Sequence, residues 1–124
     1  MAKYVPRSRL VTFDFGEITY EIERSRAELD RIIRISSAAG ERLLALTEES
    51  GNEGDIYGES ILAAKEAINE MMRDKNAASK ISKGADWLLE DYIDVMSYIL
   101  AQVKAARQIR RYEYSPERVE TWVD

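Results

Sequence analysis

The chain has 124 residues, 45% of them hydrophobic, with 23 acidic against 18 basic side chains and a formal charge of −5. That size suits a single domain with one modest core, here taken as residues 1–124, and the acidic balance argues against a protein that coats nucleic acid. The chain contains no cysteine and no histidine, which removes disulfides, thiolate and imidazole metal sites, and any mechanism with Cys or His as nucleophile or base.

Residues 10–22, LVTFDFGEITYEI, alternate in two short runs, with Val11, Phe13 and Phe15 on one side of the first and Ile18, Tyr20 and Ile22 on one side of the second. Gly16-Glu17 between them fits a tight type II′ turn, so a β-hairpin is predicted. A lone hairpin is marginal in water, and its apolar side needs a helix, a further sheet or a partner strand.

Ser25-Arg26-Ala27-Glu28 is a capping-box sequence that opens a helix predicted over 25–47, with Leu29, Ile32, Ile33, Ala39, Leu43, Leu44 and Leu46 at helical spacing. Gly40 within it predicts close packing or a bend. The next stretch, EESGNEGDIYG (48–58), has three glycines and a cluster of acids, which predicts a mobile loop. Its acids do not follow the spacing of a calcium loop, and its glycines match neither a dinucleotide fingerprint nor a P-loop. No metal, cofactor or catalytic residue is expected.

A second helix is predicted over 59–74, with Ile61, Leu62, Ile68, Met71 and Met72 inward and three alanines that permit close approach of a neighbour. DKNAASKISK (74–83) reads as a short extra helix or a connection, with Ile81 entering the core. A long helix is predicted over 85–112, its apolar stripe made by Leu88, Leu89, Tyr92, Ile93, Val95, Met96, Ile99, Leu100 and Val103. Acids crowd its start and Lys104, Arg107, Arg110 and Arg111 its end, each opposing the partial charge of that terminus. Glu90 and Asp94, four residues apart, share the polar face and read as solvated side chains, not as an acid and base pair. Ser115-Pro116 starts a short helical tail over 116–123 with Val119, Trp122 and Val123 on one side. The fold class is therefore α+β and mainly α: an N-terminal β-hairpin, three principal helices and a short C-terminal helix.

Arg107, Arg110, Arg111 and Tyr112 form a basic and aromatic end, suited to acids on a protein partner or to a solvated helix terminus, with contact to nucleic acid as the lesser alternative. Trp122 suits an anchor, either in its own domain or in a partner's groove. MAKYVPRSRL has no apolar core behind its basic residues, so no secretory signal is read, and no run is long enough to span a membrane.

The order of parts, VTFDFGEITYEI, a capped helix, a loop, NEMMRDKNAASKI and DWLLEDYIDVMSYI, resembles that of short proteins encoded among the tail genes of tailed phages and prophages, in particular tail assembly chaperones. The resemblance covers roughly residues 10–100. It implies a non-enzymatic helper in the cytoplasm of the host bacterium that binds the tape measure protein or other tail proteins. Met71, Met72 and Met96 then become candidate groove residues, against the ordinary reading as core methionines. Association with further copies of the chain stays open. The alternatives are a structural virion component, such as a connector or tail subunit, and a small nucleic-acid-binding regulator acting through Arg107 to Tyr114.

Overall fold

The computed structural model describes residues 8–49 and 53–107. Two strands, β1 (Leu10–Asp14) and β2 (Thr19–Glu23), are followed by α1 (Arg26–Glu48), α2 (Glu53–Met72), α3 (Ala77–Ser82) and α4 (Leu89–Arg107). The fold is α+β and mainly helical, as the sequence pattern predicts. The predicted tail over 116–123 and the last turn of the long helix, 108–112, lie outside the described residues.

The strands pair antiparallel, Leu10 opposite Glu23 and Asp14 opposite Thr19. Phe15 N–H donates to the Ile18 carbonyl at 2.9 Å, which closes the turn on Gly16-Glu17. Gly16 takes φ +92, a conformation glycine adopts without steric cost, while Glu17 stays outside the positive-φ region. The register puts Val11 against Ile22 and Phe13 against Tyr20, so the predicted apolar face forms and is buried on the helices.

Helix α1 starts where the cap predicts: Ser25 Oγ accepts from Glu28 N–H at 3.2 Å. The reciprocal half of the capping box is absent, because the Glu28 carboxylate turns to Arg31 and Arg73. Gly40 has open space where a Cβ would stand, so it serves no close packing, and α1 runs through it without a break.

The expected loop over 48–58 is corrected over 53–58, which are helical, while 50–52 lie outside the described residues. Helix α2 begins at Glu53 and takes in Gly54 and Gly58. Glu53 and Asp55 in its first turn oppose the positive end of the helix, and the Tyr57 hydroxyl accepts from Leu89 N–H at 3.0 Å, so a tertiary bond offsets two poor helix formers. The long helix starts later than expected, at Leu89 rather than 85. Its first amides are engaged by that Tyr57 hydroxyl and by Asp91 Oδ2, which accepts from Leu88 N–H at 2.9 Å. Leu88 consequently falls outside the helix and is 59% exposed, and the buried stripe narrows to Tyr92, Met96, Ile99 and Val103.

Helices α2 and α3 both end in Schellman motifs without glycine at the left-handed position. Arg73 (φ 53) and Lys83 (φ 56) stand there. Asp74 N–H bonds the Asn69 carbonyl and Gly84 N–H the Ser79 carbonyl, each at 3.1 Å. The Asn69 side-chain oxygen also accepts from Ala78 N–H at 2.7 Å, which starts α3 directly after the turn.

Helices α1, α2 and α4 each pack on the other two, and β1 lies along α4. Tyr57 meets the start of α4 and Lys65 Nζ lies 5.6 Å from the Tyr92 ring centre, so α2 and α4 run parallel, with α3 returning the chain between them. Phe13, Ile32, Ile68, Met71, Ile99 and Val103 are the largest fully buried side chains of one shared core.

Candidate functional site

Two concavities and one polar cluster carry the described residues' distinctive chemistry. The cluster is built where β2 crosses the α2–α3 turn. Tyr20 Oη donates to Asp74 Oδ2 at 2.7 Å, Lys80 Nζ reaches the same oxygen at 2.8 Å, and Asn76 N–H donates to Oδ1 at 3.0 Å. Lys80, then the Tyr20 hydroxyl and the Asn76 amide, hold the Asp74 carboxyl down at about 2. Burial, then Asp74 itself, pushes the Tyr20 hydroxyl well above its ordinary 10.0. A carboxylate held ionised and a phenol held protonated make a fastening between hairpin and helices, not an acid and base pair.

That fastening weakens in acid. Because the carboxyl is lower in the folded state than its ordinary 3.8, its contribution is complete above about pH 4 and is lost as pH falls towards 2. Glu28, held low by Arg73 first and then Arg31, acts in the same direction. In Asp74→Asn the fall of the urea midpoint between pH 5 and pH 2 is expected to be visibly shallower than in the parent chain. Equal slopes would remove Asp74 from the acid response.

The first concavity, about 400 Å³, runs between α1 and α2. Its floor is small, with Ala38 and Ala39 from α1, Ala63 and Ala67 from α2, and Ile35 beside them. Its rims are charged: Arg31, Arg34 and Arg42 on α1 face Glu66 and Glu70 on α2. Spacings of three and four residues put these alanines and arginines on one side of each helix. Arg42 pairs with Glu66 at 2.8 Å, and Arg31 Nη1 donates to the Glu70 carbonyl at 2.8 Å. Arg34 is exposed and has no ion pair among the described residues.

The second concavity, about 390 Å³, lies between the hairpin turn and the first turns of α4. Phe15, Trp87 and Tyr98 wall it, and Asp14, Asp91 and Asp94 rim it. Phe15 meets Tyr98 edge-on at 5.4 Å, and Asp14 N–H donates to the Tyr98 hydroxyl at 3.1 Å, which pins the turn to α4. Trp87 packs against Tyr92 at 5.3 Å. Among the described residues no three carboxylates converge as a metal ion requires.

Comparison with family models, curated proteins and solved structures finds no match to this chain. What the molecule can do is therefore read from its surfaces.

The residues singled out in the sequence are dispersed. Arg107 is exposed in the last turn of α4, while Arg110, Arg111, Tyr112 and Trp122 lie outside the described residues. Met71 and Met72 are core residues, 0% and 6% exposed, and Met96 is buried with them, so none of the three offers surface to a partner in this fold. Their inward turn follows from α2 packing on α1 on one side and α4 on the other, which leaves the end of α2 little free face. Sequence reasoning missed the α1–α2 groove and the aromatic cleft. The signal for the groove was present as Arg31, Arg34, Ala38 and Arg42 on one helical face, but its other wall is more than twenty residues away.

Proposed function

We propose that the chain is a non-enzymatic assembly protein of the tailed-phage type that binds a helical segment of another tail protein, such as the tape measure protein, in the α1–α2 groove. The observation that carries this reading is the groove itself, floored by alanines and edged by arginines on one side and glutamates on the other. Small residues let a third backbone approach closely, and Arg34 and the Glu70 carboxylate, which have no ion pair among the described residues, offer charges to an amphipathic helix. The resemblance of residues 10–100 to tail assembly chaperones supplies the class of partner. The host cytoplasm is the compartment this function requires, and among the described residues no helix is long and apolar enough to cross a membrane.

Co-expression with overlapping tape measure fragments from the same gene cluster tests the proposal. At least one fragment is expected to co-purify and gain solubility. Ala38→Trp, which fills the groove from an exposed position, should abolish capture, whereas Ser37→Trp, also exposed on α1, should not. Capture by neither protein, or equally by both variants, would overturn the reading. Recovery of the protein in finished particles would assign it to the virion instead.

A further inference from the structure

The cleft at the start of α4 carries a charge that its own surroundings leave unbalanced. None of Asp14, Asp91 and Asp94 has a lysine or arginine partner among the described residues. Two of them are held in place by backbone amides: Asp14 Oδ1 accepts from Gly16 at 2.8 Å and Asp91 Oδ2 from Leu88 at 2.9 Å. Each keeps its second oxygen for an outside donor, and Asp94 is exposed with both. The carboxylates are spread around aromatic rings and do not meet at a point, so the complementary group is extended and cationic. A guanidinium, which stacks on a ring while its fork donates to more than one carboxylate, has that form.

The opposite deficit stands at the other end of the same helix. Lys104 and Arg107 are exposed and have no acidic partner among the described residues, and the sequence goes on with Arg110 and Arg111. The helical rise sets Arg107 about 20 Å from Asp94 along one rigid rod, so it cannot enter the cleft of its own chain. We propose that the basic end of α4 in one copy docks in the acidic aromatic cleft of a second copy. Donor and acceptor are different surfaces, so the contact is head-to-tail and extends into a ring or a filament instead of closing as a symmetric dimer. The cleft shares no lining residue with the α1–α2 groove.

Light scattering over a range of protein concentrations, at low and high salt, reads the association. The parent chain is expected to exceed its monomer mass of 14.2 kDa at low salt and to dissociate as salt screens the contact. Two variants separate the halves of the contact. Asp91→Asn with Asp94→Asn spoils the cleft while retaining an oxygen to accept from Leu88, and Lys104→Glu with Arg107→Glu spoils the basic end. Circular dichroism checks that both fold. Each alone is expected to be monomeric, and an equimolar mixture should stop at a dimer, because only one intact cleft and one intact basic end remain. A parent chain that stays monomeric at low salt, variants that associate like the parent, or a mixture that stays monomeric would each overturn the proposal. Fragment capture by the groove would survive any of these results.

Discussion

Phe13→Ala is expected to cost about 3–5 kcal/mol of folding stability. The ring is 0% exposed and lies in the core cluster beneath the helices, on the buried face of β1. Removing it deletes transfer free energy and leaves a cavity between hairpin and helices that the Tyr20–Asp74 and Tyr98–Asp14 bonds prevent from collapsing. A domain of this size holds about 5–15 kcal/mol in all, so the variant sits close to unfolding. Leu10→Ala on the same strand serves as control: Leu10 is 48% exposed on the opposite face, and its loss should stay within about 0.5 kcal/mol. Urea midpoints at an unchanged m-value give both figures. Equal midpoints for the two variants would mean that the hairpin is not part of the cooperative unit.

Arg31→Met is expected to cost about 2–3 kcal/mol, the larger loss among the ion-pair substitutions. The Arg31 side chain is 17% exposed and lies across the end of α2. Nη1 donates to the Glu70 carbonyl at 2.8 Å, which also accepts from Arg73 N–H at 3.2 Å, and Nη2 donates to the Met71 carbonyl at 2.9 Å, one of the last carbonyls of a helix, which lack partners in their own helix. Nε donates to Glu28 Oε1 at 3.2 Å and Nη2 to Oε2 at 3.3 Å. Methionine keeps most of the stem's packing but leaves the Met71 carbonyl without this donor and Glu28 with Arg73 alone. Arg42→Met is the comparison, because Arg42 and Glu66 are each about half exposed and such pairs contribute about 0–0.5 kcal/mol. If both arginine variants unfold at the same denaturant concentration, Arg31 is an ordinary surface charge and does not tie α1 to α2.

The parts of this fold legible in the sequence are those in which local chemistry and tertiary packing agree. Alternation around Gly16 places the hairpin and its buried face, and Ser25 starts α1 within one residue. Where local chemistry was overruled, the sequence misleads. Gly54 and Gly58 read as loop, yet α2 begins at Glu53, where two acids oppose the helix's positive end and the Tyr57 hydroxyl accepts from Leu89 N–H. The ends of α2 and α3 carry arginine and lysine where a glycine would have signalled them. The two concavities are less legible still. Asp91, Asp94 and Trp87 can each be noted along the chain, but their grouping with Asp14 and Phe15 exists only once β1 lies along α4.

The hydrogen bond from Asp14 to Tyr98 spans 84 residues of sequence, and it bears on how the protein is made. During synthesis the hairpin leaves the ribosome well before the helix that covers it. At translation rates of about 5–20 residues per second, Phe13 and Phe15 wait roughly 4–17 s for α4. Through that interval the two strands have each other and little else, with open edges on both sides. Apart from Leu10 at its edge, their outer face is polar and exposed, made by Thr12, Asp14, Thr19, Glu21 and Glu23. Its charge discourages pairing between nascent chains, a protection that matters most before the domain is complete.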